Sequence, residues 1–422
     1  MHRGKWVAGL IFCGIVCSAA VAVIFQIRAG KIAPVKKFCD YDAMMRFDPS
    51  REGGHLLPGL NMLVQSEKRG QGVRVITNSK GFRNDREFDY AVPEGTLRIL
   101  FLGDSFVDGM RTGQDNTIGC VLEQLLNADL KKTHSPFQQV EVMIAGNNNP
   151  ANAWYYYQEH GSRYHPQLVI LGITLGNDIT WNSYKTGMIP AGSGDGTRTL
   201  KIAPDAIQDG VAGMPLPFRK ILLPKDAYSP GNSFWEKIQD KELSVRNELA
   251  RKSYWFGYGI PPELGPWPSA RRRVYAMDFF NSLGLYYQPP LPEIERILGD
   301  FEEILSGIQD SIKAQGGKLL VVLFPVRIQV SEKDWNLLSR FYSLDKAKFD
   351  LSYPNRRLTA FCKAHEIDSL DLRVPFKRRV ERTREKLYRA NGDSHLNERG
   401  QALAAREIDS HVRNWIDGED VK

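Results

Sequence analysis

Apolar residues fall into short unbroken runs separated by stretches in which they recur every three or four positions. The runs are Leu97 to Leu102, broken only by Arg98, Val140 to Ile144, broken by Glu141, Leu168 to Thr174 and Leu319 to Phe324, with a shorter, half-polar segment at Ile367 to Leu372. Short, branched-residue-rich runs ended by Gly, Pro or Asn predict buried strands. Ile118, Val121, Leu122 and Leu125 predict a helix after the first run, and Trp154 to Gly161 one after the second. Further helices are predicted at about 293 to 315, from Asn355 to His365, and in a closing segment carrying Leu403, Ile408, Val412 and Trp415. Strands alternating with helices predict an α/β fold: a doubly wound, flavodoxin-like three-layer sandwich with a parallel sheet of roughly five strands. Ahead of it, residues 72 to 88 alternate through Val73, Val75 and Ile76 and turn at Asn78-Ser79-Lys80-Gly81, which predicts a short edge strand or hairpin.

Two regions depart from this rhythm. Residues 179 to 290 are rich in Gly, Pro and Ser and carry Trp181, Trp235, Trp255 and Trp267, so they are read as a large insertion. Its aromatics suit packing, a cap over a cleft or a sugar-stacking wall. At the other end, His2, Arg3 and Lys5 precede an apolar run from Trp6 to Phe25, long enough to cross a bilayer core. Residues 1 to 26 are therefore expected to be a signal anchor, a single transmembrane helix, because the run continues past the small residues Ala19, Ala20 and Ala22. The alternative is cleavage there and secretion. Basic residues follow the run as well (Arg28, Lys31, Lys36, Lys37), so charge leaves the orientation open. The export-like layout places the body outside the cytoplasm, in the periplasm. Residues 27 to 71 read as a tether and extension, and residues 72 to 416 as one domain holding the insertion.

Composition narrows the partners. With 42% hydrophobic and 25% charged residues the chain is globular, and its net charge is +7. The excess is partly local, in Arg271-Arg272-Arg273 and between Lys377 and Arg389. In the second cluster Glu381 and Glu385 interleave at helical spacing, the pattern of a solvated helix face, and no nucleic-acid motif accompanies it. An anionic membrane surface or polysaccharide is the alternative partner for this charge. Cys13 and Cys17 lie in the apolar run, and Cys39, Cys120 and Cys362 have no C-x-x-C spacing, so neither a zinc site nor a disulfide framework is indicated. No cofactor or metal is implied.

The chemistry centres on Gly103-Asp104-Ser105, where the first buried run stops and a helix should begin. A serine at that turn can attack a carbonyl, with helix N–H groups meeting the oxyanion. Asp and Ser are also favoured helix caps, and on this stretch alone the two readings are level. Late in the chain, His395 lies between a turn and a helix with Asp393 two residues before it, so base and orienting acid are both present. Asn177, at the end of the third run, and the turn amides between Gly146 and Asn149 are candidates for the oxyanion hole. A plain cap is the other role open to Asn177.

These blocks resemble the SGNH/GDSL hydrolase superfamily in its membrane-anchored bacterial form. Gly103-Asp104-Ser105 is similar to the first block, Gly176-Asn177-Asp178 to the third and Asp393-Ser394-His395-Leu396-Asn397 to the last; Asn78 to Arg83 resembles the lead-in of such proteins. The resemblance covers residues 72 to 178 and 293 to 416. It implies Ser105 as nucleophile, His395 as base, Asp393 as its acid, and an oxyanion hole made by Asn177 with backbone N–H groups, that of Ser105 included. Two positions depart from the pattern. The acid often stands three residues before the histidine, where this chain has Gly392; the Asp-x-His spacing resembles the polysaccharide-acetylation branch. In the second block Asn149 stands where a glycine usually supplies an amide, with Gly146 three residues earlier, and both stay open. A second Gly-Asp-Ser at 392 to 394 lacks a preceding strand, so Ser394 is not a nucleophile candidate. The expected activity is ester hydrolysis or O-acyl transfer on an acylated small molecule or cell-envelope glycan. The alternative is a catalytically silent glycan-binding or assembly module on the same fold.

Overall fold

The computed structural model describes residues 45–48, 53–65, 72–131, 135–146, 149–179, 188–192, 198–202, 285–290, 292–341, 345–389 and 395–416. The chain divides into two units, Met1–Cys39 and Asp40–Lys422, and every described element belongs to the second. The strands are β1 (Met45–Asp48), β2 (Gly53–Leu56), β3 (Asn61–Gln65), β4 (Gly72–Ile76), β5 (Thr96–Leu102), β6 (Gln139–Ala145), β7 (Leu168–Thr174), β8 (Met188–Gly192), β9 (Arg198–Ile202), β10 (Lys318–Phe324) and β11 (Asp368–Asp371). The helices are α1 (Ser105–Asp108), α2 (Ile118–Leu130), α3 (Pro150–Glu159), α4 (Pro292–Lys313), α5 (Arg327–Val330), α6 (Glu332–Phe341), α7 (Tyr353–Ala364), α8 (Arg373–Thr383) and α9 (Glu398–Ile416).

The main sheet has five strands in the order β11-β10-β7-β5-β6, and every neighbouring pair is parallel. Counted from the β6 edge, its strands come second, first, third, fourth and fifth in the chain, the doubly wound order whose direction reverses at β5 and β7. Side chains alternate between two cores. Leu100, Leu102, Val169, Leu171, Ile173, Val321 and Leu323 pack with Trp154 of α3, Phe301 and Ile308 of α4 and Leu358 of α7. Ile99, Phe101, Val142, Ile144, Ile170, Val322 and Phe324 pack with Leu122 of α2, Phe376 of α8 and Ile408 of α9. Burial on both faces is why β5, β7 and β10 read as near-continuous apolar runs, while the edge strand β11 is half polar.

The open edge of β6 is closed by side chains. Asn84 donates to Val142 O at 2.9 Å and accepts from Ile144 N at 3.0 Å, while Arg83 N donates to Ile144 O at 2.8 Å. Asn127 brackets Val140 in the same way, and Glu123 accepts from Val142 N at 2.7 Å. These bonds satisfy an edge that would otherwise invite a further strand.

Three details go beyond the periodicity. The strand at Gly72 pairs antiparallel with β3, which precedes it, and not across the turn at Asn78 to Gly81. Asn78 instead holds that turn as an Asx-type loop, its Oδ1 accepting from Lys80 N and Phe82 N, and sends the chain along β6. The stretch read as a tether carries β1, β2 and β3, so strand pairing begins well before residue 72. The helix expected at Trp154 starts at Pro150, because Asn149 caps it by accepting from Asn152 N at 2.9 Å and proline is favoured in a first turn. The basic stretch forms α8, with a Lys377–Glu381 ion pair along its face at 3.8 Å.

Among the described residues no helix is long and apolar enough to cross a membrane; residues 1–26, where the anchor is expected, lie outside them. So do Trp181, Trp235, Trp255 and Trp267; within the insertion, β8 and β9 form an antiparallel pair.

Candidate active site

The site is built where β5 and β7 end. After Leu102, Gly103 turns the chain with φ 157°, and a Cβ there would lie 2.4 Å from Val107 Cγ2 and 2.9 Å from the carbonyl oxygen of Gly172. Only glycine lets the turn sit this close to β7. Asp104 is the N-cap of α1, its Oδ1 accepting from Phe106 N at 2.9 Å, and Ser105 is the first helical residue. The cap and nucleophile readings of the sequence thus fall on adjacent residues rather than competing for one. Gly109, left-handed at φ 66°, ends the helix after a single turn.

Ser105 Oγ lies 2.7 Å from His395 Nε2, across 290 residues of chain. With Nε2 unprotonated the hydroxyl donates, the arrangement in which an imidazole accepts the proton of an attacking serine. The ring of Phe106 packs against that of His395, with centroids 5.5 Å apart. Asp393, together with Gly392 and Ser394, lies outside the described residues.

The histidine lies beside an antiparallel bridge. Tyr388 and Leu396 form an antiparallel bridge, Arg389 N donates to His395 O at 2.8 Å, and Asn397 N donates to Leu387 O at 3.0 Å. Asn397 finishes the structure from both sides: its Nδ2 donates to the carbonyls of Lys386 and Tyr388, and its Oδ1 accepts from Arg399 N and Gly400 N to start α9. Gly400 is required, since a Cβ there would stand 2.2 Å from Leu387 O. Tyr388 Oη then donates to Pro325 O at 2.7 Å, pinning the bridge to the end of β10.

Asn177 reaches the turn that carries Ser105: its Nδ2 donates to Asp104 Oδ2 at 3.4 Å. Asp104 also accepts from the Thr174 hydroxyl at 3.0 Å. Burial pushes the Asp104 carboxyl above its ordinary range, against the pull of Phe106 N–H, His395, Thr174 and Asn177. Asp178 accepts from Thr174 N at 2.7 Å, and burial followed by the nearby Asp104 charge holds its carboxyl well above the usual range.

The two amide candidates separate in role. A Cβ on Gly146 would lie 2.3 Å from Asp108 Cβ and 2.7 Å from Asp108 N, so Gly146 is pressed directly against α1. Asn149 stands at the cap of α3, its side chain engaged with Asn152 N. Asn147 and Asn148, between them, lie outside the described residues.

Residues outside the three blocks complete the site. Arg83, fully buried, donates to Asp108 O at 3.1 Å, Gln114 Oε1 at 2.9 Å and Thr112 O at 2.9 Å, with its Nε 3.7 Å from Asp108 Oδ1. Burial alone pushes the Asp108 carboxyl up to about 8 and is the main cause lowering Arg83 to about 10. Gln401 accepts from Ile118 N and donates to Phe106 O, tying α9 to the segment that holds Ser105. Arg83 ends the Asn78 to Arg83 stretch that resembles a family lead-in, whereas Gln114 and Gln401 stand at scattered positions with no periodicity to mark them. Cys120 and Cys362 are free thiols, and Cys39 lies outside the described residues.

The fold and the placement of this pair define a class: an α/β sandwich with a serine and a histidine in hydrogen-bond contact at the carboxyl ends of its parallel strands. No family model matches the chain, and no curated protein matches it. Several solved structures resemble it at low identity. A catalytic mutant of the acetylxylan esterase Axe2 from Geobacillus stearothermophilus is 12% identical with a TM-score of 0.36, covering 76% of this chain and 94% of that one. The acetyl xylan esterase AlAXEase is 12% identical with a TM-score of 0.33, covering 75% and 99%. A GDSL-like lipase from Bacteroides thetaiotaomicron is 9% identical with a TM-score of 0.29, covering 78% and 93%. The activities named are those proteins' own.

Proposed function

We propose that the protein is a serine-dependent carboxylic ester hydrolase or O-acyl transferase. The observation that carries this reading is the 2.7 Å contact between Ser105 Oγ and His395 Nε2 at the end of β5. Ser105 gives its proton to His395 as Oγ attacks the ester carbonyl carbon, and the carbonyl oxygen becomes an oxyanion. Asn177, the Ser105 N–H and an amide from Gly146 or Asn149 donate to that oxyanion. Collapse of the intermediate breaks the ester bond, and the leaving alkoxide takes the proton held by His395. Water or an acceptor hydroxyl then attacks the acyl-enzyme carbonyl while His395 removes its proton, which releases the acyl group and restores Ser105. Asp393 orients the imidazole and balances its charge.

Hydrolysis and transfer share every one of these groups and differ in whether water or a sugar hydroxyl reaches the acyl-enzyme. The export-like first segment and the Trp-bearing insertion favour an acylated cell-envelope glycan as substrate, with the protein held in the cytoplasmic membrane and its body in the periplasm. A chromogenic acyl ester tests the chemistry: turnover is expected in the wild type and lost in Ser105→Ala and His395→Ala. Turnover that survives Ser105→Ala contradicts the reading. Acetate release from acetylated glycans, with or without an acceptor oligosaccharide, separates hydrolase from transferase. Alkaline washing of membranes, expected to leave the full-length chain behind, tests the anchor.

A further inference from the structure

The bridge beside His395 and the segment following Ser105 meet at a second polar contact. Arg389 Nη2 donates to Thr112 Oγ1 at 2.7 Å, and both residues are buried, Thr112 completely. Arg389 also donates its backbone N–H to His395 O at 2.8 Å, so one residue grips the histidine's own peptide and reaches across to the nucleophile segment. Each end of this strut is braced. Thr112 N donates to Gly109 O, just past α1, and Thr112 O accepts from Arg83 Nη2 at 2.9 Å. Arg389 O accepts from Arg327 Nη2 at 2.8 Å, which ties the bridge to α5 behind β10. The Ser105–His395 hydrogen bond joins residues 290 positions apart, and its length depends on how rigidly two separate segments are held. A buried guanidinium hydrogen-bonded to a hydroxyl sets that spacing more sharply than apolar packing does, because its donors lie in a fixed plane.

We propose that Arg389 is a positioning residue: through Thr112 it holds His395 within hydrogen-bonding distance of Ser105. This rests on the reading of Ser105 and His395 as nucleophile and base. It assigns a role in catalysis to two residues that never touch the substrate.

The test compares Thr112→Val, which keeps shape and removes the acceptor, with Thr112→Ser, which keeps the hydroxyl, and with Arg389→Met, all in the full-length protein. Misplacement of a catalytic group by about 1 Å costs rate on the order of 100-fold. Thr112→Val and Arg389→Met are expected to lower kcat on a chromogenic ester by about that factor, with KM within about twofold. Thr112→Ser stays close to wild type, and the Thr112→Val, Arg389→Met double variant is no slower than the worse single, because both remove one contact. Crystal structures of Thr112→Val read the same geometry without any assay: His395 is expected in more than one position, or withdrawn from Ser105. A folded Thr112→Val with unchanged kcat, or with the Ser105–His395 contact kept at 2.7 Å, overturns the proposal. So does a Thr112→Ser as slow as the valine, which would assign the loss to packing. Failure of the underlying reading shows separately, as turnover indifferent to Ser105→Ala.

Discussion

The Thr174 hydroxyl donates to Asp104 Oδ1 at 3.0 Å, so the last residue of β7 secures the residue that caps the helix of Ser105. The same carboxylate meets Asn177 through its other oxygen. One buried side chain therefore sets both the start of α1 and the aim of a candidate oxyanion donor.

Asp104→Asn separates these duties. An amide oxygen can still accept from Phe106 N and Thr174, but the amide nitrogen would then face the Asn177 Nδ2, donor against donor. Stability is expected to stay near wild type while kcat falls. Asp104→Ala removes the cap as well and is expected to cost a further ~1 kcal/mol in urea unfolding. Equal losses of stability in both variants would contradict this division.

Asn177→Ala removes a side-chain donor that faces the nucleophile turn. If it meets the oxyanion, kcat falls on the order of 100-fold or more with little change in KM. Steady-state kinetics on an aryl ester measure this; a variant with wild-type kcat would reduce Asn177 to a structural partner of Asp104.

The pH dependence of stability should carry the mark of Asp178. Its carboxyl is raised in the folded protein by burial first and by Asp104 second, so the folded state holds its proton more tightly than the unfolded state does. That contribution is fully present below the unfolded value of 3.8 and is lost as pH rises towards the folded one. Asp178→Asn keeps an acceptor for Thr174 N and never ionises. Thermal melts across pH should show the variant gaining on wild type as pH rises from acid, and parallel curves would show that Asp178 does not titrate with folding.

Gly146 and Asn149 predict different failures. Gly146→Ala drives a Cβ into the backbone of α1, with Asp108 Cα 2.6 Å away, and no side-chain rotation relieves it. A loss of about 1 to 3 kcal/mol and a fall in kcat are expected together. Asn149→Ala removes a helix cap worth ~1 kcal/mol and leaves the backbone amide in place, so kcat is expected to hold. Kinetics and unfolding midpoints of the two variants check both statements.

The central strands were legible because burial on both faces leaves mainly apolar residues to read, whereas β11, at the sheet edge, is half polar and half-buried; Gly103-Asp104-Ser105 and His395 were legible because turn chemistry punctuates the strands. What escaped had no period to betray it. Asn84 from the loop after β4, and Glu123 and Asn127 from one face of α2, close the β6 edge. Gln401 and Arg389 are buried polar residues that a sequence presents as ordinary surface chemistry. The pairing of β4 with β3 was hidden because an Asx turn looks the same whether it closes a hairpin or redirects the chain. The choice between Gly146 and Asn149 sharpened only when the contact of Gly146 with Asp108 and the cap made by Asn149 came into view.

The central claim is that the His395-linked hydroxyl of Ser105 is a nucleophile. Labelling of the intact protein with a serine-reactive fluorophosphonate, followed by peptide mass spectrometry, tests it most directly. One adduct is expected on Ser105, abolished in Ser105→Ala and strongly slowed in His395→Ala. An unlabelled wild-type protein, or an adduct that persists in Ser105→Ala, would contradict it.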